Sequence, residues 1–180
     1  SAYLLYKKKS YCGLLDGNFT ASGMELVRTD TAPVVTDAQR TCATHALHGR
    51  VQQAIQHLAD VLKKVRAGRN LEHDLDPFVR CAAITKAPGE YADPKPAHVA
   101  VAMRIVGAAK GDRIPYIVRE GQEHRIADRC LHPLEWDAEK HAIDRAHYAY
   151  TIQHAVEPWL RAAAGADQDL HAALDAACNA

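Results

Sequence analysis

The sequence predicts an α+β fold: a small antiparallel β meander followed by a mainly helical region with one β-hairpin. Three observations carry this. Two strand-like runs near the start are joined by Asp16-Gly17, a two-residue turn whose positions both tolerate positive φ. Downstream, Val51, Ile55, Leu58, Leu62 and Val65 recur at steps of four, three, four and three, the spacing of one helix face. Later, the run Gly111 to Val118 reads as a strand, and Gly121-Gln122 allows a hairpin return through His124–Ala127.

Taken in order, residues 2–6 and 11–15 read as strands, and a third extended segment runs from about Phe19 to Arg28. Pro33 then opens a weakly helical stretch to about Leu47, with Thr31 or Thr36 placed to cap it. The stronger helix from Val51 ends in cationic turns at Lys63, Lys64 and Arg66, with Gly68 as the expected residue beyond its end. Residues 70–95 are polar and proline-punctuated, with a short apolar patch at Phe78–Ile84. Pro96 opens a helix with Val99, Met103 and Val106 on one side, ended by Gly107. Asp144 caps a helix whose stripe is Tyr148, Ile152, Ala155 and Trp159, bent late by Pro158. An Ala-rich amphipathic helix at about 167–178 closes the chain.

The 180 residues, 48% hydrophobic, suffice for one domain, or one domain and part of another. Lys and Arg number 22 and so do Asp and Glu, so no global field marks a nucleic-acid partner and any such surface must come from local clustering. Two clusters exist: Lys7-Lys8-Lys9, and Arg50, Lys63, Lys64, Arg66 and Arg69 against Asp60. The cysteines at 12, 42, 81, 130 and 178 form no C-x-x-C pair, which argues against a zinc ribbon or disulfide framework and for reduced thiols. No stretch reads as a membrane span or a signal peptide. The chain enters strand-like sequence at once from Ser-Ala-Tyr, which reads as a segment of a longer protein.

Each cluster has two readings. Lys7–Lys9, beside Tyr11 and between strands, suits ordered contact with phosphates, or is a solvated charged turn. The cations from Lys63 to Arg69 suit DNA, or complement a helix C-terminus. His45 and His48 have helical spacing but no third ligand at useful distance, so surface or capping roles outweigh zinc. Tyr148, Tyr150 and Trp159 suit a stacking platform for single strands, but their helical spacing favours core packing. Arg113 and Tyr116 are expected to hold the hairpin to its neighbouring helix.

The chain also resembles the family-B DNA polymerases, through motifs in the correct order over residues 3–161. Tyr3 to Leu14 resembles the strand–Lys-Lys-x-Tyr–strand element. Gly23-Met24-Glu25-Leu26-Val27-Arg28-Thr29-Asp30 resembles the segment Gly-Ile-Glu-Thr-Val-Arg-Arg-Asp, where palm hands over to thumb. Ile84-Thr85-Lys86 with Tyr91 is similar to a thumb segment ending in Leu-Thr-Lys and a later Asp-Tyr. Pro96-Ala97-His98-Val99 is similar to Pro-His-Val, Gly111 to Val118 to Gly-Asp-Arg-Val-Pro-Tyr-Val, and Tyr150 to Pro158 to the Tyr-Leu-x-x-Gln helix. Ser10, Thr29 and Ala82 stand where the family carries cations, which implies a weaker phosphate grip unless Lys7, Lys86 or Lys95 compensates.

What the resemblance implies is a division into the C-terminal edge of a palm at 1–32, a thumb at 33–163 and a C-terminal helix of unassigned role at 164–180. The parent reaction joins a primer 3′-hydroxyl to an incoming dNTP with two Mg2+ ions held by palm aspartates. Those motifs precede the lysine run, so no catalytic or metal-binding residue is expected here; Asp16 is a turn residue and Asp30 follows a strand end. The implied partner is primer–template duplex DNA, contacted by Lys7, Lys8, Lys9, Tyr11, Arg28 and Lys86, with room for accessory replication subunits and no membrane. The implied location is the nucleus in a cellular eukaryote, otherwise an intracellular or viral replication site. The alternative is a non-catalytic nucleic-acid-binding or helical interaction module.

Overall fold

The computed structural model describes residues 2–7, 9–68, 71–165 and 169–179, with 2–7 and 72 as backbone course. Among these the chain runs β1 (Ala2–Lys7), β2 (Ser10–Leu15), β3 (Asn18–Ser22), α1 (Pro33–Leu47), α2 (Val51–Ala67), β4 (Arg80–Ala83), α3 (Ala97–Ala102), β5 (Arg113–Val118), β6 (Cys130–Leu131), α4 (Arg145–Ala164) and α5 (Leu170–Asn179). The fold class is α+β. The chain divides into two compact units, Ser1–Arg28 with Val34–Gly68 and Tyr148–Ala180, and Thr29–Pro33 with Arg69–His147.

In the first unit β1, β2 and β3 form an antiparallel sheet in that order. The register pairs Tyr3 with Gly13 and Lys7 with Ser10 on one side of β2, and Tyr11 with Ser22 and Leu15 with Asn18 on the other. Asp16 and Gly17 adopt φ of 50° and 82°, the left-handed pair that a two-residue hairpin requires. The third strand stops at Ser22 instead of running to Arg28. Gly23 turns left-handed at φ 63°, and Glu25–Val27 winds into a single 3-10 turn.

Helix α1 begins on Pro33, as a residue lacking an N–H favours, and buries Val35, Ala38, Gln39, Cys42, Ala43, Ala46 and Leu47 on one stripe. Helix α2 buries Ala54, Ile55, Leu58, Ala59, Leu62 and Val65, and α5 packs on it through Leu170 and Leu174. Gly68 ends α2 at φ −59°, ψ 131°, not in the left-handed geometry expected of it. The expected stripe of α4 is buried throughout, Tyr148, Ile152, Ala155 and Trp159 included, and Pro158 lies inside the helix. Of the expected helix at 167–178, residues 167 and 168 lie outside the described residues.

The second unit centres on β5, flanked by β4 and β6. Arg80 pairs with Tyr116 and Ala83 with Arg113, while β6 meets β5 only at Ile117–Leu131 and Val118–Cys130. The return strand is therefore Cys130–Leu131, not His124–Ala127. Ile126–Arg129 is a 3-10 turn that buries Ala127 against α3, which delays the return. Helix α3 also differs from expectation. It ends at Ala102, where Arg104 and Ile105 N–H groups bond three residues back, to the Val101 and Ala102 carbonyls. Met103 is 57% exposed and Val106 fully so; Val99, Val101 and Ala102 do the packing instead. At the far end Asp144 Oδ1 accepts the His147 N–H at 2.8 Å, the cap its position announces, and the same carboxylate pairs with Arg129.

Candidate nucleic-acid interface

The hairpin between β1 and β2 brings three of the expected contact residues together. Lys7 closes β1 with its backbone opposite Ser10; Lys9 is exposed at φ 67°; Tyr11 is half-buried on β2. Lys8 lies outside the described residues. A left-handed non-glycine residue is uncommon, and here it closes a tight turn in which Lys9 points to solvent.

Gly23 packs directly beneath this turn. A Cβ on it would collide with the Lys9 carbonyl and lie 2.8 Å from Ser10 Oγ. The Ser10 hydroxyl, buried at 4% exposure, donates to the Gly23 carbonyl at 3.0 Å. The lysine turn and the segment leading to Arg28 are thus locked to each other. Arg28 is exposed at the end of the 3-10 turn, its N–H bonded to the Glu25 carbonyl at 3.0 Å.

Sequence reasoning missed Gln39. It is fully buried among small apolar residues of α1, and its amide is satisfied at both ends. Oε1 accepts the Leu26 N–H at 2.8 Å, and Nε2 donates to the Ala155 carbonyl at 2.5 Å and to Glu25 Oε2 at 3.3 Å. The available signal was a polar residue in the stripe 35, 38, 39, 42, 43, 46. Beside it lies a cleft of about 260 Å³ lined by Ser10, Glu25, Tyr150, His154 and Trp159 among others. Its described lining carries the Glu25 carboxylate and no lysine or arginine, so it does not suit a phosphate.

In the second unit Lys86 is exposed on a loop held in part by the Tyr91 phenol. Tyr91 Oη accepts the N–H groups of Thr85 at 2.7 Å and Lys86 at 3.2 Å, and lies 3.1 Å from Thr85 Oγ1. These bonds, the Thr85 hydroxyl first, lower the Tyr91 pKa. Arg80 and Arg113 serve the backbone: Arg80 Nε donates to the Asp30 carbonyl at 3.0 Å, and Arg113 Nη2 to the Thr29 and Cys81 carbonyls at 2.8 Å each. Arg113 therefore reaches Thr29 and β4 where a neighbouring helix was expected.

The remaining chemistry narrows what the chain can do. Burial pushes the thiols of Cys12 and Cys130 up to about 11 and of Cys42 to about 12, so all three stay protonated at neutral pH and supply no nucleophile. Burial likewise lowers His57, His98 and His147, which are neutral at pH 7 and add no cation for phosphate. His45 sits 6.4 Å ring to ring from His57. Among the described residues no group of three or more His, Cys, Asp or Glu is gathered as a metal would need. Nor is any helix among them long and apolar enough to cross a membrane.

Comparison with known proteins extends this picture. The sequence model of DNA polymerase family B matches residues 1–162. The chain is 30% identical over 179 residues to the DNA polymerase alpha catalytic subunit of Oryza sativa subsp. japonica, covering 85% of this chain and 12% of that protein. It is 33% identical over 172 residues to the DNA polymerase of Thermococcus sp. (strain GE8), covering 91% of this chain and 10% of the relative. Its fold resembles that of the family B DNA polymerase from the hyperthermophilic archaeon Pyrobaculum calidifontis, with a TM-score of 0.66 and 19% identity over 86% of this chain and 21% of the other. The chain thus spans only a small part of the length of these relatives.

Proposed function

Because this chain belongs to DNA polymerase family B, we propose that it forms the palm-edge and thumb part of a template-directed DNA polymerase and grips the primer–template duplex for nucleotide addition. In this reading residues 1–32 are the palm edge and 33–163 the thumb. Lys7, Lys8, Lys9, Arg28 and Lys86 contact phosphates, and Tyr11 lies toward the minor groove. Minor-groove acceptors are nearly the same for all correct pairs, so such contacts sense geometry without reading sequence. The bond-making step, with its dNTP and two Mg2+ ions, belongs to the whole enzyme, as do any accessory subunits. The enzyme acts where DNA is replicated, in a eukaryote the nucleus.

The observation that carries the reading is the lock between the lysine turn and the Arg28 segment through Ser10 and Gly23. It joins two family-like motifs, the lysine turn and the segment that ends at Arg28. Phosphate neutralisation adds about −0.9 per contact to the slope of log K against log salt, so five cations give a slope of about −4.5. Fluorescence anisotropy of a labelled duplex, titrated with this chain from 50 to 200 mM salt, should show affinity falling about 500-fold, alike for unrelated duplex sequences. Lys7→Ala, Lys8→Ala and Lys9→Ala together should flatten the slope by about 2.7. An unchanged slope, or a strong sequence preference, would refute the proposal.

A further inference from the structure

An amide side chain buried to 0% exposure in an apolar stripe is costly unless both its ends are bonded, and those of Gln39 are. Its partners lie 13 and 116 positions away along the chain, so it is not serving its own helix. The Leu26 N–H it receives is one of the opening donors of a 3-10 turn, which have no partner inside the turn. Two residues later the turn delivers Arg28. On the other side lies α4, in which Pro158 lacks the N–H that the His154 carbonyl would take. The neighbouring Ala155 carbonyl takes side-chain donors from both Gln39 and Trp159, the latter at 2.9 Å. Gln39 also holds the Glu25 carboxylate, the first residue of the same turn.

A hydrophobic residue of equal size would fill this space. It could not fix the turn at Leu26 to the helix at Ala155. We propose that Gln39 is a positioning residue: it sets the Glu25–Arg28 turn so that the Arg28 guanidinium meets a phosphate of the bound duplex. This rests on the reading of Arg28 as a duplex contact, and its test separates the two.

The test measures the salt slope of duplex binding for the full chain and its R28A, Q39L and R28A/Q39L variants. A variant that merely loses folded fraction binds less at every salt concentration but keeps its slope. R28A should flatten the slope by about 0.9, Q39L by a similar amount, and the double variant by no more than R28A alone. A Q39L slope equal to that of the unmodified chain overturns the inference, as does a double variant in which the two losses add. If R28A itself leaves the slope unchanged, the duplex role of Arg28 fails and the inference with it. Should Q39L not fold, hydrogen exchange on the unmodified chain decides: a Leu26 amide exchanging at the rate of an unstructured peptide overturns the proposal, and a protected one supports it.

Discussion

Gly23→Ala tests the lock beneath the lysine turn most directly. Three costs follow from its surroundings. Gly23 sits at φ 63°, where an L side chain costs about 1–2 kcal/mol. The new Cβ collides with the backbone carbonyl of Lys9, which cannot swing aside as a side-chain tip can, at an overpacking cost of about 1–3 kcal/mol. Relief of that collision pulls the Gly23 carbonyl off the buried Ser10 hydroxyl, for about 1 kcal/mol more. The terms share one displacement and do not simply add, so the expected loss is about 3–5 kcal/mol. At about 2–4 °C per kcal/mol for a chain of this size, the thermal midpoint falls by about 6–20 °C. Gly17→Ala is the control, because Gly17 has φ 82° and nothing within 4 Å of its Cβ position. It should lose only the left-handed cost of about 1–2 kcal/mol, and Ser10→Ala about 1 kcal/mol. Urea unfolding of the three variants gives the ranking. Equal losses for Gly23→Ala and Gly17→Ala would show that the close approach to Lys9 does not exist.

Tyr91→Phe removes the acceptor for two N–H groups on an exposed loop, so the stability loss stays near about 1 kcal/mol while Thr85 and Lys86 amide exchange accelerates; unchanged exchange at both would sink the claim that this phenol orders the loop. Stability should also peak between pH 6.5 and 9. His98 and His147 are held below 6.5 by burial, so the unfolded chain binds more protons as pH falls through 6.5, and acid destabilises. Cys12, Cys42 and Cys130 are raised above 9.0 by burial, so the folded chain keeps protons that the unfolded chain releases, and stability declines as pH climbs past 9.0. Urea midpoints at pH 5, 7.5 and 9.5 check both limbs, and a midpoint higher at pH 5 than at 7.5 contradicts the histidine argument.

Elements driven by large apolar residues at regular spacing were legible in the sequence. Helices α2 and α4 are examples, with Leu58, Leu62, Tyr148, Ile152 and Trp159 all inward. Helix α1 read weakly because its buried stripe is mostly Ala and Cys, with Gln39 in the middle. Periodicity misled at α3, where Met103 and Val106 continue the pattern of Val99 but the helix has already ended. There the six-residue helix is packed on β4, β5 and β6, and tertiary contact outweighs local pattern. The end of β3 at Ser22 was unreadable for a different reason. At Gly23 a Cβ would meet the Lys9 carbonyl, a neighbour that only the folded sheet brings near. The site divides the same way. Charge and motif picked out Lys7, Lys9, Arg28 and Tyr91, whereas Gln39 acts through partners that periodicity does not announce.

Ser10, Thr29 and Ala82, which the resemblance sets where family members carry cations, differ in exposure. Thr29 is exposed, and a guanidinium there would face solvent. Ser10 and Ala82 are buried, Ser10 with its hydroxyl on Gly23 and Ala82 inside the sheet opposite Ile114. Of the three, only Thr29 therefore presents its side chain fully to solvent. The serine adds something in exchange. A small hydroxyl can tuck under the lysine turn and accept the close approach of Gly23, where a long cation would have to be expelled. In place of a charge, Ser10 contributes order to the turn that holds Lys9.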